Sequence, residues 1–473
     1  MRWYRNLTRR QRSVVVGLTI AVIAVIAALG WSVWMTLQAS ATLSPVSTPD
    51  LGASPMSTPT PPPASPTPVP TPSSTPTGPF EVSQAGLIAM EIAEARDSRT
   101  RWRTPVTLVD DHRLSVALYR RYQTWPPLPV QARPLLKVLN LWYWDDVRLD
   151  VIAHAQNTAA LYIPELEELY VRRDWDGPSE IQEMQVAYGY ARAKPDQYGD
   201  LLSLSADASS IDRQIALSAV ADGDALMAVW LYAGVAPGSR QAEKIERYVE
   251  TAVLPLWQRE DPLLNDLSGL AFGLGKDFTV ERFESGGTEA LDQAIIRPPR
   301  STEQLLHPER YGAGDEPVPI PPHEIDLGRN WTLTQTETLG EALMGLALVE
   351  WSNGELSSDV VEGWGGDRLQ VWQHEDGSTV AMWQVVWDTT PDAYRYYHAL
   401  QGLMPSPLIR GFLAERTTPE SLPPGRWWVG TRGAVFLRRH GDRTWLLWGE
   451  DPEIVEEVGA VIERPEGATS GFE

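Results

Sequence analysis

The chain has 473 residues, 43% of them hydrophobic, enough for a sizeable core and for two or three domains. Its formal net charge of -22 excludes nucleic acid as a partner, because a phosphate backbone needs Lys and Arg to displace its counterions. The absence of cysteine excludes disulfides, thiolate metal ligands and cysteine nucleophiles.

Residues 1–13 form an Arg-rich end, with Arg2, Arg5, Arg9, Arg10 and Arg12 and no acid. Residues 14–37, Val14 to Leu37, are apolar and uncharged, and about 24 residues suffice to cross a hydrocarbon core of about 30 Å as one helix. No Lys or Arg follows until Arg96, so the positive-inside rule makes the N-terminus cytoplasmic and the remainder extracytoplasmic. Ala39-Ser40-Ala41 resembles a signal-peptide cleavage site, but the apolar core is long against the roughly 7–15 residues of a signal. The expectation is a single-pass anchor in the cell membrane. Residues 38–79 are dominated by Pro, Ser and Thr, cannot bury enough apolar surface to fold, and read as an extended, disordered stalk.

Residues 80–322 read mainly helical. Leu87, Ile88, Ile92 and Ala93 make a helical stripe, and Val109–Tyr122 and Ala132–Tyr143 continue the pattern. Ala160–Ile163 and Glu168–Val171, broken at Pro164–Leu166, predict a hairpin. Pro178-Ser179-Glu180 opens a helix to about Ala193, and further helices are expected over about Ser210–Ala233 and Gln241–Val253. Residues 323–473 change texture. Helices are predicted over Thr338–Glu350, Asp392–Gly402 and Glu453–Ile462. Strands are predicted over Leu369–Gln373, Val380–Trp387, Trp427–Val429, Ala434–Arg439 and Thr444–Trp448, with a turn at Asp376-Gly377. The pattern implies an α+β layer sandwich of ferredoxin-like type.

The residues that bear on chemistry begin at Gln182-Glu183-Met184-Gln185-Val186, on a helix after the hairpin. A zinc peptidase carries His-Glu-x-x-His in such a place, two imidazoles one turn apart and a Glu that activates water. Here Gln182 and Val186 stand at the two histidine positions. Read alone, the segment is an ordinary amphipathic helix. None of the seven histidines pairs with another at helical spacing. Asp222 and Asp224 are weak candidates for a metal, and His307 for a ligand or catalyst. No phosphate-binding Gly-rich loop or Gly-x-Ser-x-Gly elbow is present.

Several segments in order resemble an uncharacterised bacterial and archaeal family of zincin-like, gluzincin-type extracytoplasmic proteins. They are Leu161–Val171, Gln182–Val186, Ala219–Ala225, the stretch from Arg300 through His307 to Tyr311, Gly363–Arg368 and Trp387-Asp388-Thr389. The resemblance implies a zincin-like fold, with the two histidine ligands replaced by Gln182 and Val186, Glu183 retained, and Asp222 at the third ligand position. It thus implies a pseudo-metallopeptidase with no cofactor, binding or scaffolding an extracytoplasmic protein or glycan. The alternatives are an active metal-dependent hydrolase, with zinc and with Glu183, Asp222, Asp224 and His307 as its residues, and a structural envelope protein.

Tryptophan is abundant at 20 residues, half of them after Leu327. Most are expected to pack on strands. Of the adjacent pair Trp427 and Trp428, one is the candidate for an exposed contact, as alternate strand positions face opposite ways.

Overall fold

The computed structural model describes residues 81–96, 102–124, 133–141, 150–206, 208–258, 261–403 and 413–462. The expected Arg-rich end, membrane helix and stalk lie outside the described residues. The fold class is α+β: a helical layer with a small sheet, followed by a large sheet with its own helices.

The helical layer opens with α1 (Val82–Ala95), capped by a reciprocal Glu81–Gln84 box. Next come β1 (Val106–Val109), α2 (Asp111–Thr124), α3 (Arg133–Val138) and α4 (Val151–Asn157). The hairpin β2 (Ala160–Ile163) and β3 (Glu168–Arg172) forms where expected, around a 3-10 turn at Pro164–Leu166. β1 joins it in parallel, so the helix predicted to start at Val109 is preceded by a strand, and this sheet has the order β1-β3-β2.

α5 (Ser179–Gly199) runs six residues past its expected end, through Pro195, and stops at Asp200 in the left-handed region. After α6 (Leu201–Ala206), α7 (Ile211–Tyr232) is capped by Ser210, whose Oγ accepts from the Arg213 N–H at 3.3 Å. By length and a mean hydropathy of 1.4, α7 could cross a membrane, but its apolar stretch is almost wholly buried, and it serves as a core helix. α8 (Arg240–Val253) and the long α9 (Pro262–Ile296) pack on it, α9 kinking at Gly286-Gly287. α7 and α9 touch backbone to backbone. A Cβ on Gly223 would overlap the Gly275 carbonyl, and one on Gly275 the Ala219 carbonyl, so only glycine allows this approach. Two short helices, α10 (Glu303–Leu306) and α11 (Pro308–Ala313), close the layer.

β4 (Trp331–Glu337) and α12 (Gly340–Trp351) lead into β5 (Trp364–His374), β6 (Thr379–Trp387), α13 (Thr390–Leu403), β7 (Leu413–Arg416), β8 (Arg426–Gly430), β9 (Gly433–His440), β10 (Arg443–Gly449) and α14 (Pro452–Gly459). The seven strands form one antiparallel sheet of order β4-β5-β6-β10-β9-β8-β7. This differs from the ferredoxin-like expectation, because β4 and β7 extend the sheet at both edges.

The sheet buries both faces. Trp364, Trp383, Trp387, Trp428 and Trp448 join a hydrophobic cluster that begins at Ala85 in α1. Trp372, Trp427 and Trp445 pack on the other face with Val455 and Val458 of α14. Trp427 and Trp428 do face opposite ways, yet both are buried, at 5% and 4% exposure. The exposed contact expected of one of them is therefore overturned. The expected boundary at 322/323 falls between α11 and β4, and the cluster runs across it. Trp351 Nε1 donates to the Leu139 carbonyl at 2.9 Å and Trp448 Nε1 to the Val138 carbonyl at 3.1 Å.

Candidate functional site

The helix position that resembles a metal site is occupied by fold-forming side chains. Gln182 is buried on α5, and its Nε2 donates to the Arg172 carbonyl at 3.4 Å. Val186, one turn on, is at 0% exposure inside the core. Glu183 is half-buried and accepts from the Tyr232 hydroxyl at 2.7 Å, at the far end of α7. Burial and that bond push the Tyr232 hydroxyl well above its usual range.

Asp222 and Asp224 lie in a balanced charge network between α1, α5, α7 and α9. Asp222 Oδ1 accepts from the Tyr188 hydroxyl at 2.5 Å and stands 3.0 Å from Arg192 Nη1. Asp224 Oδ1 takes Arg96 Nε at 3.1 Å and Nη2 at 2.5 Å. Arg96 also reaches Asp292, which pairs with the buried Lys194. Three basic groups thus face three acids, the arrangement that makes burying such charges tolerable. These residues do not fit a zinc ion. Val186 has no donor atom, the Gln182 amide is bonded to a carbonyl, and Asp222 is already neutralised by a guanidinium. Among the described residues, no three His, Asp or Glu side chains converge as a metal site. His154 is buried on α4, with its imidazole pushed down to about 4 by burial.

The third group of candidate segments behaves differently, because the fold gathers it. The stretch from Arg300 to Tyr311, the Gly363–Arg368 segment and Asp388 meet in the seam between the helical layer and the large sheet. Asp212 at the start of α7 accepts on Oδ1 from the Thr302 N–H at 2.9 Å and its hydroxyl at 2.6 Å. Asp367 on β5 accepts from four donors: the Leu339 and Gly340 N–H groups, each at 3.0 Å, Trp364 Nε1 at 3.1 Å and Trp383 Nε1 at 2.9 Å. The Val318 N–H donates to the Gly365 carbonyl at 2.7 Å. Burial pushes the Asp212 carboxyl up to about 7 against the Thr302 bonds, and raises Asp367.

Next to this lock, His307 Nε2 stands 3.0 Å from Glu341 Oε1, and Arg310 Nη1 stands 2.9 Å from Glu303 Oε1 while also binding Asp388. Glu303 and Glu341 are 2% and 3% exposed. Burial lifts the Glu303 carboxyl to about 8, opposed by Arg310 and assisted by Glu341. His307 is thus a half-exposed partner of a buried carboxylate, apart from Glu183 and Asp222.

A cavity of about 270 Å³ opens in the same seam. Its lining includes Arg213, Arg300 and Arg368, Val318 and Ile320, and Asp212 and Asp367 of the two locks. Reading the sequence in order did not single out Asp212, Asp367, Glu303 or Glu341. Glu303 and Asp367 lie within the segments that carry the family resemblance, and the signal that could separate them is an acid set among apolar residues.

Residues 331–459 match a family model described as a domain of unknown function (DUF8575), less than half of the chain. No curated protein and no solved structure matches.

Proposed function

We propose that the protein is a single-pass membrane protein with a cytoplasmic N-terminus and a Pro-rich stalk. Its extracytoplasmic unit, with a zincin-like helical layer, acts as a binding or scaffolding module rather than a peptidase. One observation carries this reading: the positions that would hold a metal are committed to the fold, Val186 to the core and Asp222 to Arg192 and Tyr188. The Arg cluster before Val14 and the Pro, Ser and Thr tract after it support the topology. Of the two partner classes, a protein is favoured over a glycan, since the tryptophans of the large sheet that could have stacked on sugar rings, Trp427 and Trp428 among them, are buried except Trp331.

The test uses the full chain purified in detergent, with metal analysis and a peptide-cleavage assay. The expected result is no stoichiometric zinc and no chelator-sensitive cleavage. Tightly held zinc with such cleavage would instead favour the hydrolase using Glu183, Asp222, Asp224 and His307. Topology is read in the same chain, because it has no cysteine of its own. Ser73→Cys should react with an impermeant maleimide added outside cells, and Asn6→Cys should not.

A further inference from the structure

We propose that the seam cavity binds a small organic anion, its carboxylate or phosphate head held by Arg213, Arg300 and Arg368 and its short apolar part set against Val318 and Ile320. This goes beyond the reading of the helical layer and does not depend on it.

Arg213 is half-buried, and its partners are the carbonyls of Pro298 and Pro299, both through Nη1. Arg368 Nε donates to the Ile320 carbonyl at 3.0 Å. Among the described residues, neither has a carboxylate within ion-pair distance. A half-buried guanidinium hydrogen-bonded to carbonyls, with carboxylates near it but none in ion-pair contact, is suited to receive an anion. Burial, then the like charge of Arg300, pushes the Arg213 guanidinium down to about 10, with Asp212 opposing the shift only in part.

The acids in the wall are engaged elsewhere. Both oxygens of Asp367 accept from the four donors named above, and Asp212 Oδ1 accepts from Thr302. Glu337, near Arg368, accepts from the Ile211 N–H at 3.3 Å. Glu316 stands 3.5 Å from Arg300 with both side chains largely exposed, a pair that an incoming anion displaces readily. The lining thus combines three arginines with Ser209 and Ser210. The volume lies just under the range of about 300–1,000 Å³ typical of drug-sized sites, so the occupant is of small-metabolite size.

The experiment is calorimetric titration of the full chain in detergent with succinate, inorganic phosphate and uncharged succinamide. Saturable one-to-one binding of succinate or phosphate is expected, weakened by added salt, with no binding of succinamide. A response to only one of the two anions identifies the head group. Arg213→Gln and Arg300→Gln should each weaken binding by about tenfold or more, the loss expected for a charge-assisted contact. If Arg213→Gln does not fold, Arg300→Gln decides, since that side chain is 62% exposed and outside the core. No binding of either anion at roughly 10 mM, or binding unchanged by Arg300→Gln, would overturn the proposal.

Discussion

Gly340 and Asp212 compete for the same space: at φ +78°, a methyl group on Gly340 would overlap Asp212 Oδ1. The contact joins the first turn of α12 to the first turn of α7, and so the sheet layer to the helical layer. Gly340→Ala should lower stability by about 2–4 kcal/mol, combining the left-handed backbone penalty with an overpacked contact. Gly377→Ala is the matched control. It has φ +95° but open space around it, so only the backbone penalty of about 1–2 kcal/mol applies. Urea midpoints measure both, and equal losses would remove the steric part of the argument.

Asp367→Asn keeps the shape and changes the hydrogen bonding. Two indole and two backbone N–H groups point at the carboxylate, whereas an amide offers one accepting oxygen and turns its NH₂ toward donors. The expected loss is about 2–4 kcal/mol, from buried donors left without acceptors. Fluorescence should report altered surroundings for Trp364 and Trp383. A variant as stable as the parent would show that the lock carries little energy.

The pH dependence has two parts of opposite sign. Asp212 is raised from 3.8 to about 7 and Glu303 from 4.5 to about 8, so the folded chain keeps protons that the unfolded chain has already released. Their stabilisation is complete below the unfolded values and is lost as pH rises toward 7 and 8. His154 is lowered from 6.5 to about 4, so its part is complete above 6.5 and lost as pH falls toward 4. Between pH 6.5 and 8, stability should therefore fall, and Glu303→Gln should flatten that slope. Chemical denaturation at several pH values reads it, and an identical slope in Glu303→Gln would remove Glu303 from the account.

Restoring the histidines should not restore a metal site. In a chain carrying both Gln182→His and Val186→His, one imidazole enters a position at 0% exposure, and Asp222 is still held by Arg192 and Tyr188. The expected outcome is a less stable protein, by about 2–4 kcal/mol, that takes up no stoichiometric zinc. Tight zinc uptake by this variant would mean that the helical layer still has room and charge for the ion.

The hairpin of β2 and β3, the helices α7 and α8, and the core strands β6, β9 and β10 were legible because each repeats its own period over enough residues. β1 was not: Val106–Val109 is four residues long, and its partner β3 is some sixty residues away. α9 was hidden by Gly269, Gly273, Gly275, Gly286 and Gly287, which interrupt a helical pattern although Gly275 is required where α7 crosses. β4 lacks an apolar face, since all seven of its residues are exposed or half-buried. The seam was legible only as separate segments. Asp212 and Thr302 are 90 residues apart, and no local spacing announces that they meet.

The tryptophans impose a condition on the inheritance of residues 331–459 as well as on their folding. Indoles of Trp351 and Trp448 are bonded to carbonyls of the α3 turn, and Trp364, Trp383 and Trp387 share their packing with residues as distant as Ala85. A segment cut out at 331–459 would carry that greasy, half-bonded face into water. Wherever the same stretch recurs in another chain, something in that chain has to shelter it, so the unit that is inherited is smaller than the unit that can stand alone.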